Sequence, residues 1–214
     1  EAAMDAIATD VLILGGGLGG VAAALAAVEG GARVVLVEGD RWLGGQLTAQ
    51  AVPSDEHMWS DSFGITASYR RLRDGVRDYY HAHYPLTPAA RAHRHLNPGA
   101  GFVSPLCHEP RVGVAVIEAM LAPWRASGRL SVLQPYRLVS AETDGDGVRA
   151  VIIARETDGE SLTVEAAYVL DATDTGDLLP AAGVEYVTGF ESRRDTGEPS
   201  APEQAQPANM QGVS

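Results

Sequence analysis

The chain has 214 residues, 45% of them hydrophobic, which is enough for the core of one large domain or two small ones. Its 16 basic and 28 acidic residues give a net charge of −12, so it repels phosphate backbones and nucleic acid is not an expected partner. Every basic residue is arginine, which excludes chemistry that needs a Schiff-base lysine or a P-loop lysine.

The sequence indicates neither a membrane nor an oxidising compartment. No apolar run reaches the roughly 18 residues that a membrane-spanning helix needs. The N-terminus lacks the basic and then apolar pattern of a secretory signal. Cys107 is the only cysteine, which excludes an internal disulfide. We therefore expect a cytoplasmic protein that does not contact a membrane.

A complete βαβ unit occupies the first 38 residues. Its parts, in order, are a buried strand at 10–14, a glycine-rich turn at 15–20, an Ala-, Val- and Leu-rich helix at 21–29, and a strand at 33–37. The second strand ends at Glu38. This succession is typical of Rossmann-like domains that bind dinucleotides.

The glycine turn fits the dinucleotide fingerprint, Gly15-x-Gly17-x-x-Gly20. In that pattern Gly15 permits the tight turn, Gly17 lets a pyrophosphate approach the backbone, and Gly20 lets helix and strand pack closely. The phosphates then meet free N–H groups and the positive end of the helix dipole near Leu18 and Gly19. The competing interpretation is a helix start that binds no ligand.

Glu38 stands where a carboxylate can accept hydrogen bonds from both ribose hydroxyls, and we include the adjacent Gly39 in the same contact. A carboxylate at this position repels a 2′-phosphate, which argues against NADP. The βαβ unit alone leaves FAD and NAD open.

The rest of the chain alternates between helices and short strands. Helices are predicted at 66–84 and 111–126, and strands at 130–134, 136–143, 148–156, 162–167 and 168–171, the last of them buried. Two Asp- and Gly-containing turns make the three middle segments a β-meander. In the first helix we expect one packed face, with the charged residues mostly away from it. Those charged residues are Arg70, Arg73, Asp74, Arg77 and Asp78.

These elements predict an α/β fold: a Rossmann-like domain with a parallel central sheet, helices and a three-stranded β-meander crossover. We expect this domain to cover residues 1–190, with a helical and irregular insertion at 50–110 near the ligand. Residues 191–214 are polar and rich in proline, and we expect a loop or the start of another domain there.

Three motifs, with the order of the elements, carry a resemblance to a known family. They are Gly44-Gly45-Gln46-Leu47-Thr48, Cys107-His108-Glu109-Pro110-Arg111, and Leu170-Asp171-Ala172-Thr173. Over nearly its whole length the chain resembles the FAD-dependent oxidoreductases of the glutathione-reductase-like superfamily, and it looks like their N-terminal FAD-binding part. The resemblance implies FAD as the cofactor.

The resemblance also implies positions for the parts of FAD. Gly44 and Gly45 would pass close under the ribityl chain and pyrophosphate, and Gln46, Leu47 and Thr48 would approach the isoalloxazine. Arg137 and Leu138 match the segment that meets adenine. Ala172 and Thr173 match a close backbone approach, with Gly176 in the same turn. Asp174 stands where glycine is usual, and the alternative for this turn is a strand-to-helix connection capped by Asp174.

Candidate catalytic residues are His108, as a base or polarising group, and Glu109, which would orient it. The alternative is that both residues only fix the loop and the start of the next helix. The pairs His81-x-His83 and His93-x-His95 have the spacing of metal ligands, but no further ligands complete a set, so no metal is expected.

The expected function is that of a dehydrogenase or oxidase that moves a hydride from an organic small molecule to FAD. The alternatives are an NAD-dependent dehydrogenase and a non-catalytic nucleotide-binding subunit. The resemblance implies a second Gly-Asp contact and a substrate domain for which this sequence has no counterpart, and Gly176-Asp177 lies in the wrong place for that contact. We therefore expect a fragment, a cleaved product or a split subunit, completed by a second segment or chain.

Overall fold

The computed structural model describes residues 6–210. Residues 1–5 of the predicted region 1–190, and residues 211–214 of the predicted region 191–214, lie outside the described residues. The strands are β1 (Ala6–Leu14), β2 (Val34–Val37), β3 (Leu130–Leu133), β4 (Tyr136–Asp144), β5 (Gly147–Arg155) and β6 (Ser161–Asp171). The helices are α1 (Leu18–Glu29), α2 (Ala67–His83), α3 (Pro88–Ala92), α4 (Pro110–Ala126), α5 (Leu178–Ala181) and α6 (Arg193–Thr196).

The six strands found in residues 6–210 form one sheet in the order β3-β2-β1-β6-β5-β4. From β3 to β6 each strand is parallel to its neighbour. β5 is antiparallel to both β6 and β4, so β4, β5 and β6 form the meander. The predicted α/β class, with its parallel centre and antiparallel crossover, is confirmed.

β6 is one continuous strand, not the two strands predicted at 162–167 and 168–171. Residues 161–165 pair with β5, and the strand then continues along β1 as far as Asp171. Beyond residue 165, no strand of the described chain pairs with β6 on its β5 side. Tyr168 is 71% exposed and Leu170 is 38% exposed. The prediction of a buried strand at 168–171 is therefore wrong, because this segment has one open edge and one uncovered face.

Two apolar clusters cover the two faces of the parallel strands. Ile13 and Leu36 belong to the cluster in which α1, α2 and α4 pack against the sheet. Leu12 lies on the opposite face, in a second cluster that also contains Val151 and Ile153 of the meander. Burial of this apolar area is the main favourable contribution to folding, and it holds the ends of β1, β2 and β6 in fixed relative positions.

The charged residues of α2 do not all lie away from its packed face. Arg73 and Arg77 are 1% and 5% exposed. Arg73 bonds to both Glu56 and Asp61, and Arg77 contacts Asp61 at 2.9 Å. The predicted outward placement of Arg73 and Arg77 is wrong, because carboxylates from the preceding loop compensate both guanidinium groups. Buried charge is tolerated when it is paired in this way.

The same contacts make the stability of this cluster depend on pH. Burial raises the pKa of the Asp61 carboxyl, but hydrogen bonds from Arg73 and Arg77 outweigh this and leave the pKa below its usual value. A carboxyl whose pKa is lower in the folded than in the unfolded chain stabilises the fold above its unfolded pKa. This contribution is lost as the pH falls through the folded-state pKa of Asp61.

Replacing Arg73 by methionine is expected to lower the free energy of unfolding by about 3–5 kcal/mol, because Glu56 loses its cationic partner while it remains buried. Denaturant unfolding followed by circular dichroism measures the change. Arg71→Met is the matched control: Arg71 lies on the same helix, is exposed and pairs with Glu29, so a change of about 0–1 kcal/mol is expected. Equal effects of the two substitutions would show that the buried cluster does not stabilise the fold.

Candidate functional site

A cleft of about 330 Å³ lies where β1, β2 and β6 end. Five segments line it: the fingerprint turn, residues 37–40, the loop containing Gly45 and Gln50, residues 136–138, and the turn after β6. In open α/β sheets the carboxyl ends of the strands are where ligands bind. The sheet therefore brings residues from the two ends of the domain to one site.

The fingerprint glycines have three different surroundings. A Cβ at Gly15 would overlap the Ala172 carbonyl, and a Cβ at Gly20 would overlap the Gly15 carbonyl, so both positions require glycine for packing. Gly15 also has a φ of 95°, in the left-handed region that favours glycine. At Gly17, by contrast, a Cβ would meet no heavy atom within 4 Å. The space at Gly17, beside the start of α1, is thus open at the position predicted for the pyrophosphate.

The Glu38 carboxylate is fixed by two main-chain hydrogen bonds at the edge of the cleft. It accepts from the Gly16 N–H at 2.6 Å and from the Asp40 N–H at 2.7 Å. The first bond ties β2 to the fingerprint turn, and the second closes the turn after β2. A carboxylate held in this way keeps further lone pairs for hydroxyl donors in the cleft.

Glu38→Ala is expected to weaken nucleotide binding by about 1.5–3 kcal/mol, the usual worth of charge-assisted hydrogen bonds. Titration of the variant with FAD, followed by flavin absorbance, measures the change. Asp10→Ala is a suitable control, because this carboxylate also accepts a main-chain hydrogen bond, from Arg33, but lies outside the cleft. Unchanged FAD affinity in the Glu38→Ala variant would show that Glu38 does not contribute to nucleotide binding.

The loop after β2 packs directly against the fingerprint. The Gly44 N–H donates to the Gly16 carbonyl at 2.8 Å, and a Cβ at Gly45 would lie 3.1 Å from the Gly17 Cα. The Leu47 and Thr48 side chains are 6% and 0% exposed and point into the core, while Gln46 is exposed. For Leu47 and Thr48, the predicted approach to the isoalloxazine therefore concerns the main chain alone.

Arg137 lies at the end of the cleft formed by β2 and β4. Its guanidinium group covers Gly39, where a Cβ would come within 2.6 Å of the Arg137 Cζ. Glu156 bonds to Arg137, and Asp40 lies 3.8 Å from it. These contacts, the hydrogen bond to Glu156 above all, outweigh burial and raise the pKa of Arg137. The group therefore presents a fixed planar cation at the position predicted for adenine.

The turn after β6 is held together by the Asp171 carboxylate. Asp171 accepts from the main-chain N–H and the hydroxyl of Thr173 and from the Leu178 N–H. The Ala172 N–H donates to the Leu14 carbonyl at 2.7 Å, which places the turn against the end of β1. Asp174 lies 3.4 Å from the Gln50 amide across the cleft, a contact between residues 124 positions apart that no local pattern predicts.

Some of the predicted cofactor residues do not line the cleft. Those that do are Gly15, Gly17, Glu38, Gly39, Gly45, Arg137, Leu138, Ala172 and Thr173. Gly20 and Gly44 support it from behind. Leu18 and Gly19 line a separate apolar groove between α1, α2 and α4. Gly176 lies within the turn but does not line the cleft, whereas Asp40, Asp174, Thr175 and Asp177 line it and were not predicted.

His108 lies behind the Gly44–Thr48 loop and does not line the cleft. A Cβ at Gly113 would come within 2.8 Å of its Nε2 atom. Both ring nitrogens are buried, and neither has a hydrogen-bond partner in the described part of the chain. Burial lowers the pKa of His108, an effect that the nearby Leu106 carbonyl only partly offsets. Burial therefore favours the neutral form of the imidazole.

Glu109 is held by two tyrosines at the start of α4. The Tyr84 hydroxyl donates to the Glu109 carboxylate at 2.8 Å, and the Glu109 main-chain N–H donates to the Tyr80 hydroxyl at 2.9 Å. The hydrogen bond to Glu109 is the main reason why the pKa of Tyr84 is raised to about 12. Among residues 6–210 the side chain bonds to Tyr84 and not to His108, so the structure does not place Glu109 to orient His108.

No group of three or more His, Cys, Asp or Glu side chains within residues 6–210 is arranged to hold a metal ion. Likewise, none of the described helices has the length and apolarity needed to cross a bilayer.

The fold and cleft define a Rossmann-like dinucleotide-binding domain. A family model described as FAD dependent oxidoreductase matches residues 10–214. The chain belongs to this family, and its cofactor is FAD. The predicted family and cofactor are thereby confirmed. A search of curated proteins finds no match.

Solved structures similar to this chain include L-proline dehydrogenase from P. horikoshii, with 17% identity and a TM-score of 0.43. The alignment covers 81% of this chain and 24% of that one. The apo Sdh1 complex of Mycobacterium smegmatis has 16% identity and a TM-score of 0.48, and the alignment covers 79% of this chain and 35% of that one. The myxobacterial chondrochloren halogenase has 19% identity and a TM-score of 0.49, and the alignment covers 78% of this chain and 37% of that one. The chain thus spans well under half the length of these structures, and the family match carries the assignment.

Proposed function

We propose that this chain forms the FAD-binding part of a dehydrogenase or oxidase whose substrate is an organic small molecule. One observation carries the proposal: the same cleft has open space at Gly17 and a carboxylate, that of Glu38, held in place by two hydrogen bonds. Bound flavin would supply the redox chemistry by accepting a hydride. The chain's own residues bind and orient it.

The fit of the ADP half of FAD rests on three features. The main-chain N–H groups at the start of α1 supply hydrogen bonds and a positive dipole end to the pyrophosphate. They matter because Arg137 is the only cation among the described lining residues, against four carboxylates. Glu38 accepts from ribose hydroxyls, and Arg137 offers its planar group to the adenine ring.

We further propose that a second segment or subunit completes the flavin site. In the described chain, the side chains of Leu47 and Thr48 turn away from the cleft, and His108 lies behind the same loop. A flavin held by these residues alone would be open to water on its reactive side, where its reactions are poorly controlled. The substrate contacts would then come from that other part. A cytoplasmic location, which the single cysteine favours, belongs to the same proposal.

Titration of the purified chain with FAD and with NAD tests cofactor choice, because bound oxidised flavin absorbs visible light and NAD does not. Micromolar or tighter binding of FAD, with much weaker binding of NAD, is expected. Preference for NAD would support the alternative dehydrogenase. Binding of FAD without reduction by any donor, even in the presence of the completing segment, would support a non-catalytic nucleotide-binding subunit.

Native mass and turnover test the completing segment separately. The chain alone has a mass of 22.5 kDa. If it binds FAD, we expect the complex to show little substrate oxidation until the other segment or subunit is supplied. A single 22.5 kDa species that binds FAD and turns over substrate unaided would contradict this part of the proposal and leave the cofactor assignment intact.

A further inference from the structure

A second, smaller cavity of about 120 Å³ lies against α2, and it shares no lining residue with the nucleotide cleft. Four arginines, one histidine and two aspartates line it. They are Arg70, Arg73, Arg77, Arg94, His95, Asp61 and Asp74. The high proportion of guanidinium groups is unusual in a chain whose net charge is −12. The FAD chemistry proposed above makes no use of this cavity.

The two arginines on the inner wall of this cavity, Arg73 and Arg77, are already paired with carboxylates. Arg73 bonds to Glu56 and Asp61, and Arg77 bonds to Asp61 and, through its Nε, to the Leu96 carbonyl at 3.1 Å. Both arginine side chains are more than nine-tenths buried. Two guanidinium groups and two carboxylates cancel in charge here, so the inner wall fixes the shape of the site.

The outer wall carries cations that are not paired. In the described part of the chain, neither Arg70 nor Arg94 forms an ion pair or a side-chain hydrogen bond. His95 lies 3.6 Å from Asp61, and Asp74 faces the same space. Counting Glu56 behind Arg73, four guanidinium groups face three carboxylates, which leaves an excess of one positive charge with His95 neutral.

We propose that this cavity binds a small oxyanion, a carboxylate or a phosphate group, between Arg70 and Arg94. Guanidinium groups present donors in a planar fork that matches either kind of group, and pairing with a desolvated anion is strongest where the surroundings are partly buried. The cavity is large enough for one such group and too small for a nucleotide. Because Arg73 and Arg77 on the inner wall are already neutralised by Glu56 and Asp61, the attraction for an anion comes from the unpaired Arg70 and Arg94.

Calorimetric titration of the FAD-saturated chain with sodium phosphate and with sodium acetate tests this site, because FAD then fills the fingerprint. Sodium chloride at equal ionic strength is the reference. At least one oxyanion is expected to bind more tightly than chloride. Phosphate binding without acetate binding identifies a phosphate group, and the reverse identifies a carboxylate.

Two variants locate the binding. Arg70→Gln and Arg94→Gln are each expected to weaken oxyanion binding by about ten-fold or more, the loss of one charge-assisted pair. Arg71→Gln, on the same helix but outside the cavity, is expected to bind as the unchanged chain does. Unfolding midpoints confirm that the variants are folded. Oxyanion binding no tighter than that of chloride, or binding unaffected by Arg94→Gln, would overturn the proposal.

Discussion

Gly17→Val is expected to yield a folded protein that does not retain FAD. Gly17 has φ −60° and ψ −176°, which valine adopts without strain, and a Cβ there meets no heavy atom within 4 Å. The fold therefore accepts the valine, but its methyl groups occupy the space of the pyrophosphate. Loss of two or more charge-assisted hydrogen bonds corresponds to about 3 kcal/mol or more, which is at least ~100-fold in affinity.

Cofactor content per folded protein, from flavin absorbance and circular dichroism, measures the effect of Gly17→Val. Gly17→Ala gives an intermediate point, because one methyl group fills only part of the same space. Ala22→Val is the control, since it places the same valine side chain at an exposed position of α1 that does not line the cleft. Full FAD occupancy in a folded Gly17→Val protein would mean that the pyrophosphate binds elsewhere.

Gly15→Ala is expected to damage the fold itself. The new Cβ would overlap the Ala172 carbonyl, which the hydrogen bond from the Ala172 N–H to Leu14 holds in place. Overpacking of this kind costs about 1–3 kcal/mol, and the φ of 95° adds roughly 1–2 kcal/mol of backbone strain. Together they amount to about 3 kcal/mol, a fall of roughly 6–12 °C in Tm for a domain of this size.

A comparison with Gly145 separates the cost of steric overlap from the cost of backbone strain. Gly145 also has a positive φ, 58°, but a Cβ there meets nothing within 4 Å. Gly145→Ala is therefore expected to lose only the strain contribution, about 1–2 kcal/mol. If thermal unfolding shows equal losses for the two variants, the close approach of Ala172 to Gly15 does not contribute to stability.

The sequence predicts the βαβ unit and the meander well because both are encoded locally. Glycine turns, apolar runs and the spacing to Glu38 all lie within short windows, and Gly15, Gly17 and Glu38 line one cleft in the structure. The strand boundary predicted between 167 and 168 fails for a different reason. β6 pairs with β1 from Thr163 to Asp171 but with β5 only as far as Glu165, and the loss of one pairing partner leaves no mark on the local pattern.

The buried arginines show what helical periodicity cannot reveal. Arg73 and Arg77 are charged residues in a helix, and only the carboxylates of Glu56 and Asp61, from a loop, make their burial possible. The same holds for the catalytic hypothesis. The adjacency of His108 and Glu109 in sequence suggests cooperation, but the backbone at the start of α4 directs one side chain behind a loop and the other to Tyr84.

The open edge of β6 gives this strand two kinds of amide proton. Successive N–H groups of a strand point to opposite neighbours, so from residue 166 onwards every second amide faces β1 and the others face the unpaired side. Deuterium exchange along 166–171 should therefore alternate between slow and fast, whereas residues 163–165, which have a strand on either side, exchange slowly throughout. A strand that pairs with this edge would abolish the alternation, which makes the exchange pattern a direct reporter of such a strand.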